Sequence, residues 1–188
     1  MSKFRVVDST PVVDAGFLAV TEEHVAGPGD ESFTRYVVRH PGAVVMVPVE
    51  DDGETVLMLR QFRAATGGDL LEIPAGKRDV DGEPPEATAV RELEEEIARK
   101  PGRLVKLCEF FNSPGFCDEY THLFLALDLA ELATPIAVNA EEREMTIERV
   151  ALRDVDQLIA TREIIDAKSI VGLQLARRYL AGEYEGLR

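Results

Sequence analysis

The chain has 188 residues and 20.8 kDa, with 21 basic against 35 acidic side chains and a net charge of −14. That length suits one well-buried domain with a small extension, and 45% hydrophobic with 30% charged residues describes an ordinary soluble protein. The acidic balance argues against a general nucleic-acid binder, which needs basic surface to displace counterions. No apolar run approaches the ~20 residues that span a bilayer, and the opening MSKFRVVDST lacks a signal-peptide core, so no membrane partner and a cytoplasmic location are expected.

In chain order, residues 3 to 40 carry apolar runs at Val12-Val13, Phe17–Val20 and Phe33–Val38, broken by Gly27-Pro28-Gly29. They predict antiparallel strands and turns. Gly42–Pro48 predicts a buried strand, and Asp51-Asp52-Gly53 a tight turn into Thr55–Leu59 as its hairpin partner. Arg60–Arg63 closes that strand, and Leu70–Gly76 leads to a glycine loop. Glu83-Pro84-Pro85-Glu86 starts a helix near Pro84, because proline tolerates the first turn and acidic groups favour the N-terminal end of the dipole. Val90, Leu93 and Ile97 give it a buried face, and Pro101-Gly102 is expected to stop it after Lys100.

Arg103–Phe111 and Tyr120–Leu129 then predict strands flanking the loop from Asn112 to Glu119. His122 reads as a packing or surface residue rather than a catalytic base. An acidic stretch, Asn139–Glu144, precedes a strand over Met145–Leu152, and helices are expected over Asp154–Ile159 and Ala167–Tyr179. Cys108 and Cys117 are too few and too plainly spaced for a zinc site or a disulfide framework, and read as free thiols.

Within the first helix, Glu92 and Glu96 fall one turn apart with Glu95 beside them. Carboxylates so spaced cost a helix roughly 0.2–0.5 kcal/mol per pair, and a bound cation is the natural compensation. Mg²⁺ takes such oxygen ligands and shares them with substrate phosphates. An acidic run alone is most often a solvated helix face; the surrounding residues decide otherwise.

Gly76, Glu83, Arg91, Glu92, Leu93, Glu95 and Glu96 together resemble the Nudix box, G-x5-E-x7-R-E-U-x-E-E-x-G-U, with U aliphatic. Seven residues separate Glu83 from Arg91, as the pattern asks. Two departures stand out: six residues rather than five lie between Gly76 and Glu83, and the closing G-U is Ala98-Arg99. The second change is expected to let the helix run on to Pro101.

The resemblance implies an α+β fold, the Nudix α/β/α sandwich with a mixed central sheet, over residues 42–188. Residues 1–41 would form a small N-terminal antiparallel β extension used in dimerisation. It implies Glu92 and Glu96 as principal metal ligands, Glu95 as a further ligand or water-binding group, and the Ala75 carbonyl completing the shell. Arg91 would orient Glu83 and the helix, with Mg²⁺, or Mn²⁺, as the ion.

Gln61-Phe62-Arg63, Leu71–Gly76, Ser113–Phe116 with Asp118-Glu119, and Glu163–Lys168 look like the ADP-ribose pyrophosphatase branch. In that branch an arginine at Arg63 binds phosphates or terminal ribose, a task suited to a guanidinium fork. An arginine near Arg35 joins it, commonly from the second subunit of a homodimer. The water-activating base is a glutamate on a late loop, with Glu141, Glu142 and Glu144 as equal candidates; Glu119 lies on a loop that more often shapes the substrate pocket. The expected reaction is cleavage of ADP-ribose to AMP and ribose 5-phosphate. Two alternatives stay open: another nucleoside diphosphate sugar such as GDP-mannose, and a non-catalytic nucleotide sensor. The intact carboxylates count against the sensor.

Overall fold

A computed structural model describes residues 3–133 and 144–187, so Glu141 and Glu142 lie outside the described residues. The chain forms two compact units.

The first unit runs to Gly42 and takes in Phe110–Thr121. It is an antiparallel sheet of β1 (Arg5–Asp14), β2 (Ala19–Ala26) and β3 (Ser32–Arg39), in that order. Its second segment docks on β3, where Val38 N–H donates to Phe116 O at 2.7 Å and Asp118 N–H to Val38 O at 3.1 Å. Asp118 also accepts from Arg39 Nη1 (2.9 Å) and from His40 N–H (2.8 Å). On β2, Glu23 is only 2% exposed and accepts from Ser9, Thr21 and Arg39, the last at 2.6 Å. These three donors hold its carboxyl down to about 2, against the burial that pushes it up.

The second unit comprises Ala43–Glu109 and the chain from His122 onward. Its strands fall into two hydrogen-bonded groups. One is β7 (Ala75–Lys77), β4 (Ala43–Pro48), β9 (Tyr120–Glu131) and β8 (Arg99–Phe111), in that order. The other is β10 (Thr146–Ala151), β5 (Thr55–Arg63) and β6 (Gly68–Glu72). The expected hairpin between Gly42–Pro48 and Thr55–Leu59 does not form. β5 pairs instead with β6 and β10, and only an isolated bridge between Val49 and Val56 ties the two runs across the turn. The reason is burial: every residue of β4 is buried, so the strand sits inside the first group and is paired there.

Among the described residues, three α-helices complete this unit: α1 (Pro85–Ile97), α2 (Val155–Ala160) and α3 (Ala167–Leu180). Ala89, Leu93 and Ile97 recur every four residues on α1 and bury against Val44, Met46, Leu57, Leu59, Phe124 and Ala126. Helix α1 begins where the sequence predicts, with Pro84 as its N-cap, but it does not continue to Pro101. It ends at Ile97; Ala98 takes the left-handed conformation (φ 51°, ψ 45°), its N–H returns to Leu93 O, and Arg99 already begins β8. Alanine thus fills the conformational role that the box assigns to glycine. Gly172 lets α3 sit close to the sheet: a Cβ there would lie 2.8 Å from Ile73 Cδ1 and 3.1 Å from Val47 Cγ2.

Candidate active site

The short strand β7 places Ala75 and Gly76 beside α1. Gly76 has no room for a side chain, because a Cβ built on it would overlap the Glu92 carboxyl group. Glycine here permits a close approach of backbone to carboxylate rather than an unusual turn. One helical turn on, Glu96 Oε2 accepts from Ala75 N–H at 3.1 Å. The residues Ala75, Gly76, Glu92 and Glu96 are therefore brought together, as the sequence predicts.

Arg91 organises the remainder. Its Nη1 donates to Glu92 Oε1 at 2.8 Å and reaches Glu95 Oε2 at 3.4 Å, while Nη2 donates to Glu83 Oε2 at 3.2 Å. Glu83 also accepts from Thr88 Oγ1 (2.8 Å), and these partners, Arg91 first, hold its carboxyl below the ordinary range. Glu92 shows the opposite shift. Burial pushes it up, the neighbouring Glu95 charge adds to the rise, and Arg91 offsets only part of it. A buried carboxylate with a second carboxylate beside it gains from an added cation.

Nudix hydrolases generally need divalent metal ions. The donors here, three carboxylates and the Ala75 backbone, are all oxygen and fit a hard divalent cation. Among the described residues they are not drawn into a closed shell of three or more acidic, histidine or cysteine ligands. Arg91 pairs with both Glu92 and Glu95.

Arg63 lies at the end of β5 and forks onto Glu72, with Nε to Oε1 at 2.9 Å and Nη2 to Oε2 at 2.8 Å, leaving Nη1 outside the pair. Arg35, on β3 of the first unit, stacks over the Phe33 ring at 4.3 Å and donates to Thr34 O. Glu119, also in the first unit, is half-buried, with its N–H on Cys117 Sγ at 3.4 Å. Glu144 is exposed just before β10. His122 is buried, bonded to Glu109 through Nδ1 at 2.8 Å, and burial keeps it below its usual range. Of the two expected readings, packing or surface, the structure shows the packed one. Cys108 and Cys117 are free.

One cluster was not singled out from sequence. Glu72, 1% exposed, is held by both Arg63 and Lys168 Nζ, and Lys168 also pairs with Asp166 at 2.9 Å. Burial raises the Glu72 carboxyl, but the two cations outweigh it and bring it below the ordinary range. The signal was a lone glutamate in the apolar run Leu70-Leu71-Glu72-Ile73, with Asp166–Ser169 as a capped helix start.

The NUDIX domain profile matches residues 39–171. The chain is 41% identical over 152 residues to the ADP-ribose pyrophosphatase of Bacillus subtilis (strain 168), covering 81% of this chain and 80% of that protein. It is 35% identical over 170 residues to the ADP-ribose pyrophosphatase of Mycobacterium tuberculosis (strain ATCC 25618 / H37Rv), covering 90% and 81%. A crystal structure of an ADP compounds hydrolase shares the fold, with a TM-score of 0.82, 97% of each chain covered and 21% identity. The chain belongs to the Nudix hydrolase family, in its ADP-ribose pyrophosphatase-like branch. Among the described residues no helix is long and apolar enough to cross a membrane.

Proposed function

We propose that this Nudix hydrolase cleaves the pyrophosphate bond of ADP-ribose to give AMP and ribose 5-phosphate, activated by Mg²⁺ with Mn²⁺ as a substitute. The observation that carries the chemistry is the approach of Glu92 to Gly76, with Glu96 on the Ala75 amide one turn away. The named relatives point to ADP-ribose as the substrate. When bound, a divalent ion would neutralise pyrophosphate charge and acidify the attacking water. Glu92 and Glu96 would be its principal ligands, with Glu95 and the Ala75 carbonyl completing the donor set. Arg91 orients Glu92 and Glu95 by pairing with both, and Glu83 fixes Arg91 from the other side. Glu92 and Glu95 would exchange the Arg91 contact for the cation.

Arg63 Nη1 is the donor left over from the Glu72 fork, and it is proposed to meet a phosphate or ribose oxygen. Arg35 and Glu119 are proposed as further substrate-binding residues on the family resemblance, and one of Glu141, Glu142 and Glu144 as the group that takes the proton from water. We place the protein in the cytoplasm, without nucleic-acid or membrane partners. Residues 1–41 are proposed as a dimerisation element of a 42–188 Nudix domain. Strand β1 is the sheet edge and is exposed along its whole length, with Val6, Val7, Val12 and Val13 all half or more in solvent, a surface that invites a second copy. A monomer by light scattering would remove that assignment.

The test of function is AMP release from ADP-ribose with Mg²⁺, by the wild type and by Glu96→Gln, beside GDP-mannose and a nucleoside triphosphate. Turnover of ADP-ribose that falls at least about 100-fold in the variant is expected. Turnover of another substrate alone would keep the chemistry and discard ADP-ribose. No metal-dependent turnover by the folded protein would leave a nucleotide-binding sensor.

A further inference from the structure

The buried start of α3 meets the loop that carries Ala75, and the contact has a specific form. Ser169 is wholly buried, with its N–H and its Oγ–H both on Asp166 Oδ2, at 2.9 and 2.5 Å. With its proton committed to Asp166, Ser169 Oγ accepts from Ile73 N–H at 2.9 Å. Ile73 opens the four-residue run Ile73-Pro74-Ala75-Gly76. The next two links are fixed as well: Met46 N–H donates to Pro74 O at 2.9 Å, and Ala75 N–H donates to Glu96 Oε2.

Gly172 lies one turn after Ser169 on the same face, where its missing side chain lets Ile73 pack directly on α3. Lys168, immediately before Ser169 and with a side chain 15% exposed, pairs with Glu72, the residue before Ile73. Three successive features of α3 therefore bear on two adjacent residues, Glu72 and Ile73. The mechanism above assigns none of the three a role.

We propose that Ser169 is a positioning residue for the hydrolytic reaction: its hydroxyl, aligned by Asp166, pins the Ile73 amide and so sets where the Ala75 backbone stands relative to Glu96. The inference rests on the reading that Ala75 and Glu96 help hold the cation. Removing the hydroxyl leaves a buried N–H with no acceptor, and the cheapest relief is for the Ile73–Gly76 backbone to shift toward another partner or water. Partners behind metal ligands typically matter 10- to 100-fold in affinity or activity.

The test uses the full chain as wild type, Ser169→Ala, Ser169→Thr and Glu96→Gln. It reads Mn²⁺ affinity by electron paramagnetic resonance, amide exchange at Ile73 and Ala75, and kcat and KM for ADP-ribose. In Ser169→Ala, Mn²⁺ affinity is expected to fall about tenfold and kcat about 10- to 100-fold, with KM within about twofold. Exchange at both amides should quicken. Ser169→Thr, which keeps the hydroxyl, should recover most of each loss.

A folded Ser169→Ala with wild-type Mn²⁺ affinity, while Glu96→Gln loses it, would overturn the positioning role and leave the metal reading standing. Wild-type Mn²⁺ affinity in both variants, or none in the wild type, would bring down both. Should Ser169→Ala not fold, exchange in the wild type decides: an Ile73 amide as fast as exposed loop amides would overturn the pin, and a protected one with full activity recovered in Ser169→Thr would uphold it.

Discussion

At the scale of single residues, the site depends on one absent side chain as much as on the carboxylates present. A methyl on Gly76 would occupy the space of the Glu92 carboxyl, so Gly76→Ala must move either β7 or the glutamate. The surrounding core does not run through Gly76, which is half-buried, while Val44, Leu93 and Phe124 are fully buried nearby. The expected result is a folded protein whose turnover falls at least about 100-fold, as befits a reacting group moved by an ångström or more. Kinetics with a melting curve would check this; near-wild-type kcat would show that Glu92 does not work from the position seen here. Ala98 is the complementary case. A left-handed alanine costs roughly 1–2 kcal/mol, offset by its N–H on Leu93 O and by Leu132 N–H on its own carbonyl.

At the scale of elements, the acidic helix, its start and the Leu93 and Ile97 positions of its buried stripe were legible because proline, helical periodicity and the Arg91–Glu96 spacing are local signals, whereas Val90, expected on that stripe, is only half-buried and Ala89 is buried instead. The end of α1 was not. Alanine carries no sequence mark for a left-handed turn, and what holds it there is contact with Leu132, far along the chain. The hairpin was misread for a similar reason. A turn as plain as Asp51-Asp52-Gly53 fixes chain reversal, but which strands pair is decided by burial of β4 on both faces. The contact of Glu72 and Ile73 with Lys168 and Ser169 was not legible, because a lone buried glutamate and a capped helix start do not show that segments 96 residues apart meet.

The sheet of the first unit gives a pH prediction. Glu23 has its folded pKa lowered from 4.5 to about 2, so its contribution to stability is fully present above about 4.5 and is lost as pH falls through 2. Amide exchange along β2 should therefore quicken across that window. In Glu23→Gln the dependence should flatten, with faster exchange already at neutral pH. An unchanged slope would mean that Ser9, Thr21 and Arg39 do not hold the carboxylate in solution.

At the scale of the whole molecule, the question is whether the cation is part of the fold or only of the chemistry. The apolar cluster around Leu93 and Phe124 includes none of the proposed cation ligands, and Arg91 pairs with both Glu92 and Glu95. Chelation with EDTA should therefore abolish turnover while leaving a cooperative melt and an unchanged far-ultraviolet spectrum. Adding Mg²⁺ should then raise the melting temperature by linkage, since an ion that binds only the folded state at 100 times its Kd contributes about 2.7 kcal/mol. For a chain of this size that is a rise of about 5 to 11 °C. Glu96→Gln should show a smaller rise at the same Mg²⁺ concentration, because a proposed ligand is lost while the apolar core is untouched. Unfolding on chelation would reverse the assignment: the ion would then be holding α1 to β7, and Arg91 would be insufficient to keep the acidic helix in place.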